Sequence, residues 1–146
     1  MRFRLIDQVV EHSDSRIVAI KAVTLAEEYL ADHFPSFPVL PGVFMLEAMV
    51  QSARRLIPAT DRRFVLGGVK ALRYGSFVSP GEHLRVEVEI KKFDGDSASF
   101  RGEGKVLSPG GEVTEADTAV SGRFTMRPAR AVRIAVGARA GGGATP

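Results

Sequence analysis

A histidine and a glutamate stand fourteen positions apart in the run His33-Phe34-Pro35-Ser36-Phe37-Pro38-Val39-Leu40-Pro41-Gly42-Val43-Phe44-Met45-Leu46-Glu47-Ala48-Met49-Val50-Gln51. An imidazole titrates near neutral pH and can take a proton; a carboxyl group can give one. Glu47 is the anomaly. Val43, Phe44, Met45, Leu46, Ala48, Met49 and Val50 leave no polar stripe around it, and a helix apolar all round is a buried helix. An unpaired buried carboxylate is costly. Such a group is paired with a cation, kept neutral with a raised pKa, or placed to do acid–base chemistry.

The residues between them look like positioning devices. Pro35, Pro38 and Pro41 restrict the loop that carries His33 to extended or turn geometry. Pro41-Gly42 then opens a helix. Gly42 lets a ligand approach the backbone, and the free N–H groups of the first turn are donors for a carbonyl or a developing oxyanion. Base, acid and oxyanion donor thus fall within nineteen residues.

The elements that must hold this run can be read from periodicity. Arg16 to Thr24 is expected as a strand buried on both faces, and Glu27 to Ala31 as a short helical turn leading to the histidine. Residues 42 to about 57 form the central helix, stopped by Pro58. Arg62 to Leu72 is a further strand. The strand His83 to Phe93 alternates Leu84, Val86, Val88 and Ile90 with Arg85, Glu87, Glu89 and Lys91. Asp94-Gly95-Asp96 makes a hairpin turn. Ser97 to Leu107 and Glu112 to Thr125 then follow as strands joined through Ser108-Pro109-Gly110-Gly111. A helix on one antiparallel sheet is an α+β arrangement. His12 falls in a polar turn and His83 at a strand start, and neither receives a role.

The 146 residues suit one domain, and 45% hydrophobic residues suffice for a core. The domain is expected over residues 1–126, with 127–146 as an extension whose end, beyond about residue 135, is too poor in large apolar groups to bury itself. The absence of cysteine removes disulfide, thiolate-nucleophile and cysteine-metal readings, and agrees with a reducing cytoplasm. Neither an export signal nor a membrane span is expected, because Met1-Arg2-Phe3-Arg4-Leu5 is followed by Asp7 and Glu11 and no long apolar run occurs.

Net charge is only +3, but arginine is unevenly placed. Arg54, Arg55, Arg62 and Arg63 flank the helix end, with Lys70 and Arg73 beyond. One reading is a solvated helix terminus complementing its dipole; another is a landing site for an acidic partner. Nucleic-acid binding is not expected, since no recognition motif or interleaved aromatic residues accompany the basic ones.

The His33–Gln51 run resembles the signature of the 3-hydroxyacyl-acyl-carrier-protein dehydratases, His-Phe-Pro-x-x-Pro-x-x-Pro-Gly-Val-x-x-x-Glu-Ala-x-x-Gln, at every fixed position. The likeness extends less sharply over residues 5 to 125, including Leu5-Ile6-Asp7-Gln8-Val9-Val10 and Val78-Ser79-Pro80-Gly81-Glu82. The resemblance implies a hotdog fold: a curved antiparallel sheet wrapped around a long helix. It also implies a homodimer with two active sites at its interface, a trimer of dimers being open to it as well. In that family the His of one protomer faces the Glu of the other. His33 would remove the C2 proton of a 3-hydroxyacyl thioester, and Glu47 would protonate the departing C3 hydroxyl. The Gly42 N–H would polarise the thioester carbonyl, Gln51 would help orient it, and Val43, Phe34 and Phe44 would line the substrate. The arginine-rich stretch would receive an acyl carrier protein and its phosphopantetheine. No metal or organic cofactor is implied. The pathway class would be fatty acid biosynthesis or a related lipid or polyketide route in the cytoplasm.

Glu47, where dehydratase-isomerases carry Asp, points to simple dehydration. Asp32 stands where a Gly often precedes the histidine, and Tyr74-Gly75-Ser76-Phe77 stands where basic residues often lie, which puts a standard carrier-docking surface in doubt. Two other readings stay open. One is an acyl-binding hotdog protein without turnover, against which retention of both His33 and Glu47 argues. The other is a hotdog thioesterase, which leaves the His-Phe-Pro loop without a purpose.

Overall fold

A computed structural model describes residues 3–32, 36–112 and 116–130. Among them the chain forms β1 (Gln8–His12), β2 (Arg16–Ala22), α1 (Tyr29–Asp32), α2 (Gly42–Arg54), β3 (Phe64–Tyr74), β4 (His83–Phe93), β5 (Ala98–Leu107) and β6 (Thr118–Pro128). One six-stranded sheet has the order β1-β2-β4-β5-β6-β3, every pairing antiparallel. α2 packs on it. This is the hotdog arrangement, α+β, that the resemblance implies.

The strand β4 has the bounds read from the sequence, and its alternation decides the face: Leu84, Val86 and Val88 are buried while Arg85, Glu87 and Glu89 are half-exposed. The following turn is fixed by the Asp94 carboxylate, which accepts the N–H groups of Asp96 and Ser97 at 2.9 and 2.8 Å, with Gly95 at φ +92°. On β5 the inward row is Ala98, Phe100, Gly102, Gly104 and Val106. Gly102 sits where α2 comes closest: a Cβ there would lie 2.6 Å from the Met49 sulfur. The missing side chain lets helix and sheet meet. Phe100 and Phe124 stack beside this contact with ring centroids 5.2 Å apart.

Several expectations shift. α2 ends at Arg54 rather than near residue 57; the Arg55, Leu56 and Ile57 amides donate to the carbonyls of Ser52, Ala53 and Arg54, a tightening last turn that Pro58 closes. β2 ends at Ala22, and the short helix begins at Tyr29. His12 is the last residue of a strand, β1, not part of a turn. The described part of the final strand starts at Thr118 instead of Glu112, where Lys105 of β5 pairs with Thr118 and the Val106 N–H donates to the Asp117 carbonyl at 2.9 Å; residues 113–115 lie outside the described residues. The expected extension beyond residue 130 lies outside the described residues.

The helix is not buried all round. Met45, Ala48, Met49, Val50, Ser52 and Ala53 are buried against the sheet, whereas Val43 is 67% exposed and Phe44, Glu47 and Gln51 are half-buried. The apolar residues therefore cover one packed face and part of an open one.

Candidate active site

Glu47 lies on that open face of α2, with Gln51 one turn later. The Gln51 amide is fully engaged. Its Oε1 accepts the Leu5 N–H at 2.9 Å, and its Nε2 donates to the Phe3 carbonyl at 2.9 Å and to Glu47 Oε1 at 3.2 Å. Because a backbone N–H can only donate, the contact to Leu5 fixes which amide atom is oxygen. The segment before β1 and the carboxylate are thereby held by one side chain.

Phe44 packs between Phe3 and Tyr29, with centroids at 5.2 and 4.7 Å. The Tyr29 hydroxyl is buried and has no partner among the described residues. Just before it, Lys21 is buried but satisfied by Glu27 at 2.8 Å and Asp7 at 3.3 Å. The chain leading from β2 toward the histidine is thus anchored by a paired charge. His33 and Phe34 themselves lie outside the described residues.

Two cavities flank the open face. One, of about 810 Å³, is lined by Glu47, Gln51, Arg4, Arg54, Arg55 and Arg63 together with the segment before β1. The other, of about 220 Å³, is lined by Leu40, Gly42, Met45, Tyr74, Phe77 and Ala119 among others. Gly42 begins α2, and its amide and that of Val43 have no intrahelical acceptor. The Tyr74 ring covers Gly42 so closely that a Cβ there would meet ring carbons at 2.9 Å. Burial pushes the Tyr74 hydroxyl pKa upward, so it stays protonated.

The basic residues singled out in the sequence do not form one patch. Arg54, Arg55 and Arg63 share the larger cavity, joined by Arg4, which sequence spacing gave no reason to include. Arg62 is tied to Asp96 at 2.9 Å and the Gly95 carbonyl at 3.1 Å, in the β4–β5 turn. Lys70 and Arg73 lie on β3. Lys70 is directly across from Arg123, which pairs in turn with Arg101, and these three line a separate groove of about 640 Å³. That cation row joins residues far apart in the chain, and only strand register reveals it.

Among the described residues no group of three or more His, Cys, Asp or Glu side chains could hold a metal ion. No helix there is long and apolar enough to cross a membrane.

Known proteins agree with this architecture. Residues 9–110 match the family model described as ApeI-like, ApeI dehydratase. A 3-hydroxyacyl-acyl-carrier-protein dehydratase FabZ of Acidovorax sp. (strain JS42) is 38% identical over 112 residues, covering 71% of this chain and 77% of the relative. The FabZ of Anaeromyxobacter sp. (strain K) is 38% identical over 123 residues, covering 79% and 78%. Among solved structures, the dehydratase heterocomplex ApeI:P from Xenorhabdus doucetiae superposes with a TM-score of 0.67 at 22% identity, covering 88% of this chain and 84% of that one. A Streptococcus mutans UA159 protein bound to acetyl CoA gives 0.65 at 12% identity, covering 88% and 92%; both show the shared fold. With its helix-borne glutamate, its Gly42 helix start and these relatives, the chain belongs to the ApeI-like dehydratase family.

Proposed function

We propose that the chain dehydrates 3-hydroxyacyl thioesters on an acyl carrier protein, yielding trans-2-enoyl thioesters and water in fatty acid or related biosynthesis. The observation that carries this is Glu47 on the open face of α2, oriented by Gln51 at a cavity that arginines also line. The Gln51 N–H occupies Oε1, leaving Oε2 to carry the proton that is delivered.

The reaction needs help at both ends, because the C2 proton is weakly acidic and hydroxide is a poor leaving group. His33 takes the C2 proton. Electrons move into the thioester as enolate-like charge, which the Gly42 N–H at the helix start stabilises. The C3–O bond then breaks as Glu47 gives its proton to the departing oxygen. One proton is lost from carbon and one gained by oxygen, so the product is water and the conjugated enoyl thioester. Val43, Phe34 and Phe44 flank the substrate. No metal or organic cofactor takes part in this reading.

The carrier partner is supported by Arg54, Arg55 and Arg63 around the Glu47 cavity, with Arg4 beside them; an acidic carrier would be steered there. A homodimer with shared sites is supported by the exposed apolar side chains Val43, Phe37 and Phe77 near the helix start, and by β3, which pairs with β6 on one side only. A cytoplasmic setting is supported by the absence of cysteine.

Turnover of a 3-hydroxyacyl carrier-protein thioester, followed by enoyl absorbance, tests the reading. His33→Ala and Glu47→Gln should each lose roughly 100-fold or more in kcat while keeping the wild-type melting temperature. Binding of the acyl chain with neither enoyl product nor free thiol would replace this reading with a non-catalytic acyl binder; thiol release alone would make the protein a thioesterase.

A further inference from the structure

Among the described residues Lys21 is the one charged residue that is buried, 8% exposed near the end of β2. Alternation along β2 puts it in the row of Ile17 and Ala19, on the face that meets the core. Its ammonium group has two acceptors, Glu27 at 2.8 Å and Asp7 at 3.3 Å, and the Glu27 side chain is only 16% exposed. Replacing a buried ion cluster by apolar residues of similar volume is often neutral or stabilising, so stability alone gives no reason for this one. What the cluster adds is direction. An ammonium between two carboxylates fixes where both of them sit, which an apolar contact does not.

The two carboxylates belong to separate segments. Asp7 closes the segment before β1: its N–H donates to the Ile20 carbonyl at 2.8 Å, and its Oδ2 accepts the Ala22 N–H at 2.7 Å. Two residues earlier is Leu5, whose N–H, with the Phe3 carbonyl, sets the Gln51 amide that bonds Glu47. Glu27 opens the run into α1: its carbonyl accepts the Leu30 N–H at 3.1 Å, and Leu30 is buried. The same two segments meet again through aromatic rings, Phe3 and Tyr29 both packing on Phe44, one turn before Glu47. An ionic bridge from β2 and an aromatic bridge from α2 thus hold one frame around the open face.

We infer that Lys21 is a positioning residue for Glu47: by holding Asp7 and Glu27 it fixes the segment before β1 against the run into α1, and through Gln51 and Phe44 that frame sets where the carboxyl group points. The effect on turnover rests on the dehydratase reading, whereas the frame itself is read without it. A role of this kind is felt in kcat rather than KM, because Lys21 aims the proton donor and does not touch the acyl chain.

The test compares Lys21→Met, which keeps the apolar stem and removes the ammonium, with Lys21→Met combined with Glu27→Gln, and with Asp7→Asn. Each is read by urea unfolding, by kcat and KM for a 3-hydroxyacyl pantetheine thioester, and by hydrogen exchange at the Leu5 amide. Lys21→Met should lower stability, lower kcat about tenfold to 100-fold with KM little changed, and speed exchange at Leu5 relative to the amides of β4. The double variant leaves no buried carboxylate without a partner, so it should regain stability without regaining kcat or the Leu5 protection. Asp7→Asn alters a side chain that is 42% exposed; it should stay folded with a smaller loss of kcat and of Leu5 protection, and it carries the test if Lys21→Met does not fold. Recovery of kcat together with stability in the double variant would make Lys21 purely structural and overturn the inference, as would unchanged Leu5 exchange in every folded variant. A wild-type protein that yields no enoyl product removes the dehydratase reading, and Leu5 exchange then decides the frame alone: faster exchange in the variants sustains it and unchanged exchange overturns it.

Discussion

Two charged regions of the molecule are built on opposite principles. On the outer face of the sheet, Arg16 of β2 is bonded by Glu87 of β4 at 2.7 Å and also by Glu11, while Arg85 approaches Glu87 at 3.5 Å. Arg16 and Arg85 thus each have a carboxylate beside them. At the open face of α2, Arg4, Arg55 and Arg63 engage no carboxylate among the described residues, and Glu47 receives only the neutral Gln51 amide. Charge that is answered within the chain serves the fold. Charge left unanswered around a cavity is available to whatever enters it.

The contrast can be broken most directly at Gln51. Gln51→Ala removes three hydrogen bonds at once and should cost about 1–3 kcal/mol of stability, read from urea unfolding, together with a lower kcat because Glu47 loses its orientation. A stability loss with unchanged kcat would mean that the amide serves only the segment before β1. Reversing the unpaired cations comes next. Arg55→Glu combined with Arg63→Glu should lower kcat/KM for the carrier-linked substrate on the order of tenfold at low salt, fading as salt rises, with little change for a pantetheine thioester. Equal loss for both substrates would move carrier docking elsewhere, the Lys70, Arg101 and Arg123 row being the alternative surface.

The smallest effect is expected on the paired side. The hydrogen bond from Arg16 holds the Glu87 carboxyl below its ordinary value of 4.5. A folded-state pKa that is depressed contributes stability above the unfolded value and loses it as pH falls through the folded one. Wild-type melting temperature should therefore fall on acidification below about pH 4.5, partly through this group. Glu87→Gln should start slightly lower at neutral pH and fall less steeply, with turnover unaltered. A pair this exposed contributes at most about 1 kcal/mol, and a parallel pH profile would show that it contributes nothing.

How much was legible in the sequence follows from which interactions are local. β4 and its Asp94 turn were readable because alternation and an Asx-type carboxylate act over a few residues. β1 was missed because it is an edge strand with only Val9 half-buried, so its sequence carries no alternation to detect. The nearly uniform apolarity around Glu47 suggested full burial, yet the face of α2 that meets the sheet packs on Gly102, more than fifty residues downstream. The His33–Gln51 run was legible as a motif. The sorting of the arginines into cavity, turn and outer groove was not, because strand register rather than sequence spacing decides it.

The Gln51 bridge also changes what the first residues of the chain mean. Phe3 and Leu5 present their backbone to the same amide that steadies Glu47, and the Phe3 ring rests on Phe44. Anything that peels this segment away from the helix would thus loosen the mounting of the proposed proton donor, so the stretch before β1 is a handle on Glu47 from outside the cavity.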